Sequence, residues 1–530
     1  MDIEKHTIGL GLLWLVTTSV FFLLGWVTPV IAVILSAGLV FCVIRIWVKI
    51  PESTPHSKYL YLHLIPIAAL AFFCSFYSGL TGHFPQHILD MAQRNAVYGN
   101  LCQGDWPIVL PDGRYFVYYF SSFLPAAFFS KIMGYDSAPL LLLVWNFLAI
   151  FLAFTLVLCR TRKALFAWIG ILILLFIQDP VGLLKPCSEV IKAISGCDVA
   201  LNSQAAPLLM GFRTTINHTP GILLATALLF NRRISHSALP IIGVTTLLMT
   251  VFGAISLFPF LVYRYLKLNA CSSPAKTATN ATRTFCFSLE GFCSLCLCGI
   301  TILYHKCADG EVVITPIFFV TYNKPVWYII FKNIAHVALI ISCMMCPLLW
   351  MRKNREHRGP LWILFWSFTI VNFIYIGNGG PNELAFKGNT TLLIVTAFGW
   401  MRTLNRAPIF YKSLVWIILV LLTVHYSYTT FVPRLMTFGK HERNVNNPFC
   451  GHLYHPGSLL DQSVPKSTPA RIPHILYSEA GESRNIFPFS ALPPANNNLY
   501  STPANYRNDN RFLQTKPDNK NLHILFYNEK

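Results

Sequence analysis

IGLGLLWLVTTSVFFLLGW at 8–26, followed at once by VTPVIAVILSAGLVFCVIRIWV at 27–48, decides the class of this protein. A helix that crosses a bilayer needs about 20 consecutive, mostly apolar residues, and each run meets that length with Arg45 as the only charged residue in the pair. The first run is too long for a removed signal peptide. A second apolar run follows with no small-residue cleavage site between them, so residues 1–48 read as a retained hairpin.

The same signal recurs outward along the chain, near 60–80, 138–158, 164–182, 219–231, 238–249, 253–266, 285–304, 327–350, 361–377, 390–402 and 413–431. Together these runs predict some 12–13 transmembrane helices. Composition agrees: of 530 residues, 54% are hydrophobic and only 12% charged, with a mean hydropathy of +0.52, values that exclude a soluble globular domain. The runs lack the alternation of a membrane barrel, and backbone groups in hydrocarbon must be satisfied within the segment, so the class is an all-α polytopic membrane protein.

The net charge of +19 does not signal nucleic acid. Lys and Arg concentrate in alternate short loops (Arg45 and Lys49; Arg160, Arg162 and Lys163; Arg232 and Arg233; Arg264 and Lys267; Arg352 to Arg358; Arg402 and Arg406), as expected of loops kept in the cytoplasm. This bias settles two ambiguous stretches. The aromatic run 115–133 is read as an interfacial helix, since a further span there would put Arg160 outside; 238–266 is read as two short helices, which return Arg264 inside. The segments 81–137, 183–218, 305–326 and 378–389 then share the outside face. The organisation is an N-terminal hairpin and third span (1–80), a large outside loop with its interfacial helix (81–137), a transmembrane core (138–431) and a non-cytoplasmic tail rich in Asn, Pro and Ser (432–530).

Fifteen cysteines are scattered along the chain. Cys293, Cys296 and Cys298 fall mid-helix without His or acidic company, which argues against a metal cluster. A non-cytoplasmic compartment permits a Cys187–Cys197 disulfide without requiring one.

The outside segments hold the chemistry. The first carries Asp90, Arg94, Asn95, Asp105 and Asp112. A carboxylate beside a membrane surface can act as a general base or hold a divalent cation against a phosphate; equally, Asp90 and Arg94 are four apart and can pair, and Asp105 and Asp112 sit in turn-forming contexts. The second presents Asn217 and His218 at a helix start, where they can cap the helix or donate to an anion. The third carries Asn382, Glu383 and Lys387 after a Gly-rich turn, where Glu383 and Lys387 can face a ligand or each other. Glu290, Lys332 and His336 are ionisable residues within spans, and Glu290 lies near the cytoplasmic end.

These landmarks carry a resemblance. Asp90, Arg94-Asn95-Ala96, Trp106-Pro107, Tyr118-Tyr119 and Leu124-Pro125-Ala126, then Ile216-Asn217-His218-Thr219-Pro220-Gly221, then Asn382-Glu383-Leu384-Ala385-Phe386-Lys387, resemble in kind and order the motifs of the multi-pass glycosyltransferases of the C superfamily, GT-C. In the last motif Glu stands where Asp is usual and Lys where Arg is usual. The resemblance covers short landmarks over roughly 80–400. It implies an inverting transferase that moves a sugar from a polyprenyl-phosphate carrier to a glycan, lipid or protein acceptor outside a bacterial inner membrane. Asp90 would be the base; Arg94, His218 and Lys387 would meet the carrier phosphate; Asn95, Asp105 and Asn217 would orient substrate, with Glu383 beside them. No paired Asp stands in the first loop, so a divalent metal remains open as a cofactor. The alternatives are a transporter or flippase for a lipid-linked or anionic solute, and a non-catalytic relative of the fold.

Overall fold

A computed structural model describes residues 2–52, 59–78, 89–108, 115–160, 164–178, 180, 207–270, 273–306, 313–317, 326–353, 355–377, 382–427 and 463–464. Asp112, Cys187 and Cys197 lie outside them, as do the side chains of Asp90 and Lys332.

The helices, in chain order, are α1 (Ile3–Trp26), α2 (Pro29–Lys49), α3 (Tyr59–Phe76), α4 (Leu89–Gln103), α5 (Leu124–Met133), α6 (Ala138–Arg160), α7 (Ala164–Phe176), α8 (Leu208–Thr214), α9 (Thr219–Leu229), α10 (Ala238–Met249), α11 (Val251–Leu268), α12 (Pro274–Cys286), α13 (Leu289–Lys306), α14 (Val326–Met345), α15 (Arg355–Phe373), α16 (Glu383–Arg406) and α17 (Ile409–Tyr426). Two small antiparallel ladders accompany them: β1 (Tyr115–Phe116) pairs with β4 (Ser463–Val464), and β2 (Val313–Pro316) with β3 (Ile374–Gly377).

Among the described residues six helical stretches are long and apolar enough to cross a membrane, or seven if the bent pair α12–α13 counts as one span, and α3, α7, α9 and α10 are shorter apolar helices. The chain is an α-helical, multi-pass membrane protein. Helix α2 shows why. One face, with Leu35, Leu39, Cys42, Val43 and Ile46, is buried in the bundle, while Val30, Ile34, Phe41 and Val48 on the other are 55–72% exposed. A helix apolar on both faces suits a bundle whose outer solvent is lipid. Position in the bundle follows: the apolar window of α1 is 67% buried against α2, α6 and α10, whereas that of α17 is 22% buried and peripheral.

The stretch expected to form two short helices does divide in two, but the second, α11, has 18 residues and is by itself long enough to cross a membrane. The chain turns extended at Thr250 (φ −162, ψ 110), whose hydroxyl caps α11 by accepting from Gly253 N at 3.3 Å. The interfacial run is less helical than expected. It opens with β1 and a 3-10 turn (Ser121–Phe123), leaving α5 only 10 residues, about 15 Å and so half a bilayer core. The run expected near 285–304 starts later, at Leu289, and α12 precedes it at a 76° bend. That elbow is built by Ser288, whose Oγ accepts from Gly291 N at 3.0 Å, and by Gly291, where a Cβ would lie 1.8 Å from the Phe285 carbonyl oxygen. Only glycine fits there.

Candidate functional site

The ends of α1, α10 and α13 and the starts of α9, α11 and α16 meet at one end of the bundle, where Arg94, Asn95, Asn217, His218, Glu383 and Lys387 converge. The segment between β1 and α5 is the centrepiece. Its backbone is fixed from several elements: the Tyr304 hydroxyl accepts from Tyr118 N and donates to Tyr118 O, both at 3.0 Å. Ser122 donates to the Asn217 carbonyl at 2.7 Å and Ser121 to the Leu248 carbonyl at 3.3 Å. Tyr119 is thereby held with its ring against His218 (5.4 Å), Phe252 (6.3 Å) and His305 (5.7 Å).

His218 precedes α9 and is 2% exposed. Its Nδ1 lies 3.1 Å from the Met249 carbonyl, which can only accept, so Nδ1 carries the proton; Nε2 then accepts from the Asn217 amide at 3.0 Å. Both nitrogens are satisfied in the neutral ring. Burial, reinforced by the charges of Lys387 and Arg94, holds the imidazole pKa well below its ordinary value. His218 is therefore a neutral brace, whereas a direct phosphate contact would require one of these bonds to break.

Lys387, one turn into α16, supplies the cation. It is 9% exposed, its Nζ 2.7 Å from Glu383 Oε2 and within 5.0 Å of the Tyr119 and 5.2 Å of the Phe252 ring centres. Aromatic faces stabilise a desolvated ammonium. The helix start that presents this pair is set by Asn382: its Oδ1 accepts from Ala385 N (3.2 Å) and Ile376 N (3.2 Å), and its Nδ2 donates to Ile374 O (2.9 Å), so one side chain caps α16 and ties it to β3. Lys387 and His218 line a small cavity, about 10 Å³, with Gly211, Thr215, Thr219 and Phe386. That is room for one water.

Helix α4 places Arg94 (6% exposed) and Asn95 (0%) in the buried layer, near enough for the Arg94 charge to act on both His218 and Tyr119. Asp90 lies in its first turn, four residues before Arg94. Asp105 stands apart, exposed on the turn after α4. Its charge acts on Lys131, whose ammonium also bonds the Gly104 carbonyl and lies 5.1 Å over Trp106.

Tyr119, Phe252 and His305 complete the site; Tyr119 belongs to the Tyr118-Tyr119 landmark, whereas Phe252 and His305 carry no motif and are marked in the sequence only by lying close to the start and end of apolar runs. Arg213 is a further buried cation, 5.8 Å over Tyr77. Glu290 belongs to the other end of the bundle, 1% exposed and ion-paired with Arg45. Among the described residues no three His, Cys, Asp or Glu side chains come together as a metal set, and Cys293, Cys296 and Cys298 are free. Compared with protein-family models, curated proteins and solved structures, the chain matches none.

Proposed function

We propose that this protein is an inverting glycosyltransferase of the GT-C kind, moving a sugar from a polyprenyl-phosphate carrier to an acceptor. One observation carries the reading: Arg94, Asn217, His218 and Lys387, from three stretches far apart in sequence, gather around Tyr119 at a single end of the bundle. In this mechanism Asp90 removes the proton of the acceptor hydroxyl, whose oxygen attacks the anomeric carbon from the face opposite the carrier. The anomeric C–O bond to the phosphate breaks as the new one forms. The departing phosphate gains negative charge, which the Arg94 guanidinium and the Lys387 ammonium neutralise in a water-poor setting. His218 braces Asn217, which with Asn95 orients the substrates, and the apolar spans receive the polyprenyl tail; Asp105, apart from this cluster, takes no role in it.

The same reading puts this end outside a bacterial inner membrane, with some twelve or thirteen spans in all. The pairing of β1 with β4 supports a tail that shares that face. A transporter or flippase is the second reading, favoured by the 76° elbow of α12–α13, since discontinuous helices mark many transport sites.

The deciding experiment follows sugar release from radiolabelled polyprenyl-phosphate-sugars by purified protein in lipid vesicles, wild type against Asp90→Asn. Release that disappears in the variant while carrier binding persists supports the transferase and its base. Carrier movement across the bilayer without release supports the flippase, and neither activity across the donor panel leaves a non-catalytic relative.

A further inference from the structure

A second concave site lies at the opposite end of the bundle. Arg45 sits 16 residues along α2 from Pro29, a rise of about 24 Å, so it is most of a hydrocarbon thickness away from Tyr119 and Lys387. There the α12–α13 elbow and the end of α2 enclose an open cavity of about 410 Å³, lined by Arg45, Asn280, Arg283, Thr284, Phe287 and Ser288. Arg45 gives Nε and Nη2 to Glu290, which leaves Nη1 without a hydrogen-bond partner among the described residues. Arg283 is exposed and has no carboxylate partner among them. Glu290 neutralises one of the two cations, and the cavity keeps a net positive charge beside the hydroxyl of Thr284, while the Ser288 hydroxyl is spent within the elbow on Phe285 O and Gly291 N. Phe287 at the lip is 87% exposed and Phe292, one turn further along α13, 60%.

We infer that this elbow binds the phosphodiester headgroup of an anionic phospholipid. The Arg283 guanidinium, the Nη1 of Arg45 and the Thr284 hydroxyl match a phosphate, the volume suits a headgroup rather than a metal ion, and the exposed Phe287 ring at the lip offers apolar surface to the acyl chains of a seated lipid. Basic pockets between transmembrane helices take lipid headgroups in this way. A soluble phosphate compound would satisfy the arginines and leave the rings bare.

The full chain, purified in a neutral detergent, is titrated with phosphatidylglycerol, phosphatidylcholine or glycerol phosphate, with binding read by native mass spectrometry and by thermal shift. Saturable binding of phosphatidylglycerol is expected, weakened about tenfold by Arg283→Gln, the loss that accompanies removal of one charge-assisted contact. Lys353→Gln, which removes an exposed cation outside the cavity, is expected to leave it unchanged. Arg283 makes no fold-holding side-chain contact among the described residues, and an unshifted melting temperature of the lipid-free variant verifies that it folds. Equal loss in both variants, or phosphatidylcholine binding as tightly, overturns the proposal. Glycerol phosphate competing at the same concentration as the lipid also overturns it, in favour of a soluble phosphate ligand.

Discussion

Glu383→Gln separates an anion site from an ordinary ion pair by the sign of its effect. Glu383 and Lys387 are 2.7 Å apart, with the carboxylate side chain 38% exposed and the ammonium side chain 10%. At that separation and an effective dielectric of about 20 the Coulomb attraction is roughly 6 kcal/mol. Hydration of the exposed carboxylate and salt screening return most of it, which leaves about 1 kcal/mol net. If Lys387 receives the carrier phosphate, Glu383 competes for the same ammonium, and its neutralisation should tighten binding by about that amount, some fivefold. Lys387→Met should weaken binding at least tenfold, since a charge-assisted contact is worth about 1.5–3 kcal/mol. The assay is equilibrium binding of a fluorescent polyprenyl phosphate to protein in nanodiscs, with melting temperature as the check on folding. Weaker or unchanged binding by a folded Glu383→Gln protein would falsify the assignment of Lys387 as a phosphate partner.

Three further outcomes are expected. His218 resists protonation in the folded state, so between its depressed pKa and the ordinary value near 6.5 the unfolded chain binds the additional proton; stability therefore falls as pH drops below about 6.5, and melting curves from pH 8 to 5 should be flatter for His218→Asn than for wild type. Asn382→Ala removes a helix cap and two ties to β3 and should cost about 1–2 kcal/mol, read by denaturation in detergent, together with weaker carrier binding as Lys387 loses its fixed position. Gly291→Ala forces a Cβ to within 1.8 Å of a backbone oxygen and should destabilise by about 3 kcal/mol or more, with loss of the thermal shift given by phosphatidylglycerol.

The membrane class and the break at Thr250 were legible in the sequence, because each rests on local signals: apolar run length and helix-start chemistry. What was not legible depends on contacts between distant segments. His218 reads as a candidate cation from its type alone, and only the Met249 carbonyl, thirty-one residues away, together with the buried charges beside it, makes it a neutral brace. Asn382 reads only as a polar residue beside a Gly-rich turn, and its three hydrogen bonds, which set α16 against β3, are seen only in the fold. Glu290 reads as an acid in a span, and its partner Arg45 lies 245 residues earlier. Helix α12 has no apolar run in its polar sequence to signal it, and Ser288 and Gly291 mark its end through their contacts at the elbow.

The arrangement around Tyr119 bears on why a cation so well buried can still be useful. A desolvated ammonium with no partner would cost several kcal/mol or lose its proton. Here Glu383 and the Tyr119 and Phe252 faces hold it charged and in place. An arriving phosphate then meets a cation already charged and stripped of water, and displaces from it a carboxylate that is one-third exposed and returns readily to solvent. The neutral state of His218 serves the same end, since a third positive charge beside Lys387 and Arg94 would have to be paid for by the fold in the absence of ligand. In the proposed reaction, charge that is fixed before binding is charge that needs no reorganisation as the phosphate leaves, which is why exchanging Glu383 for Gln, and not only removing Lys387, tests how the site works.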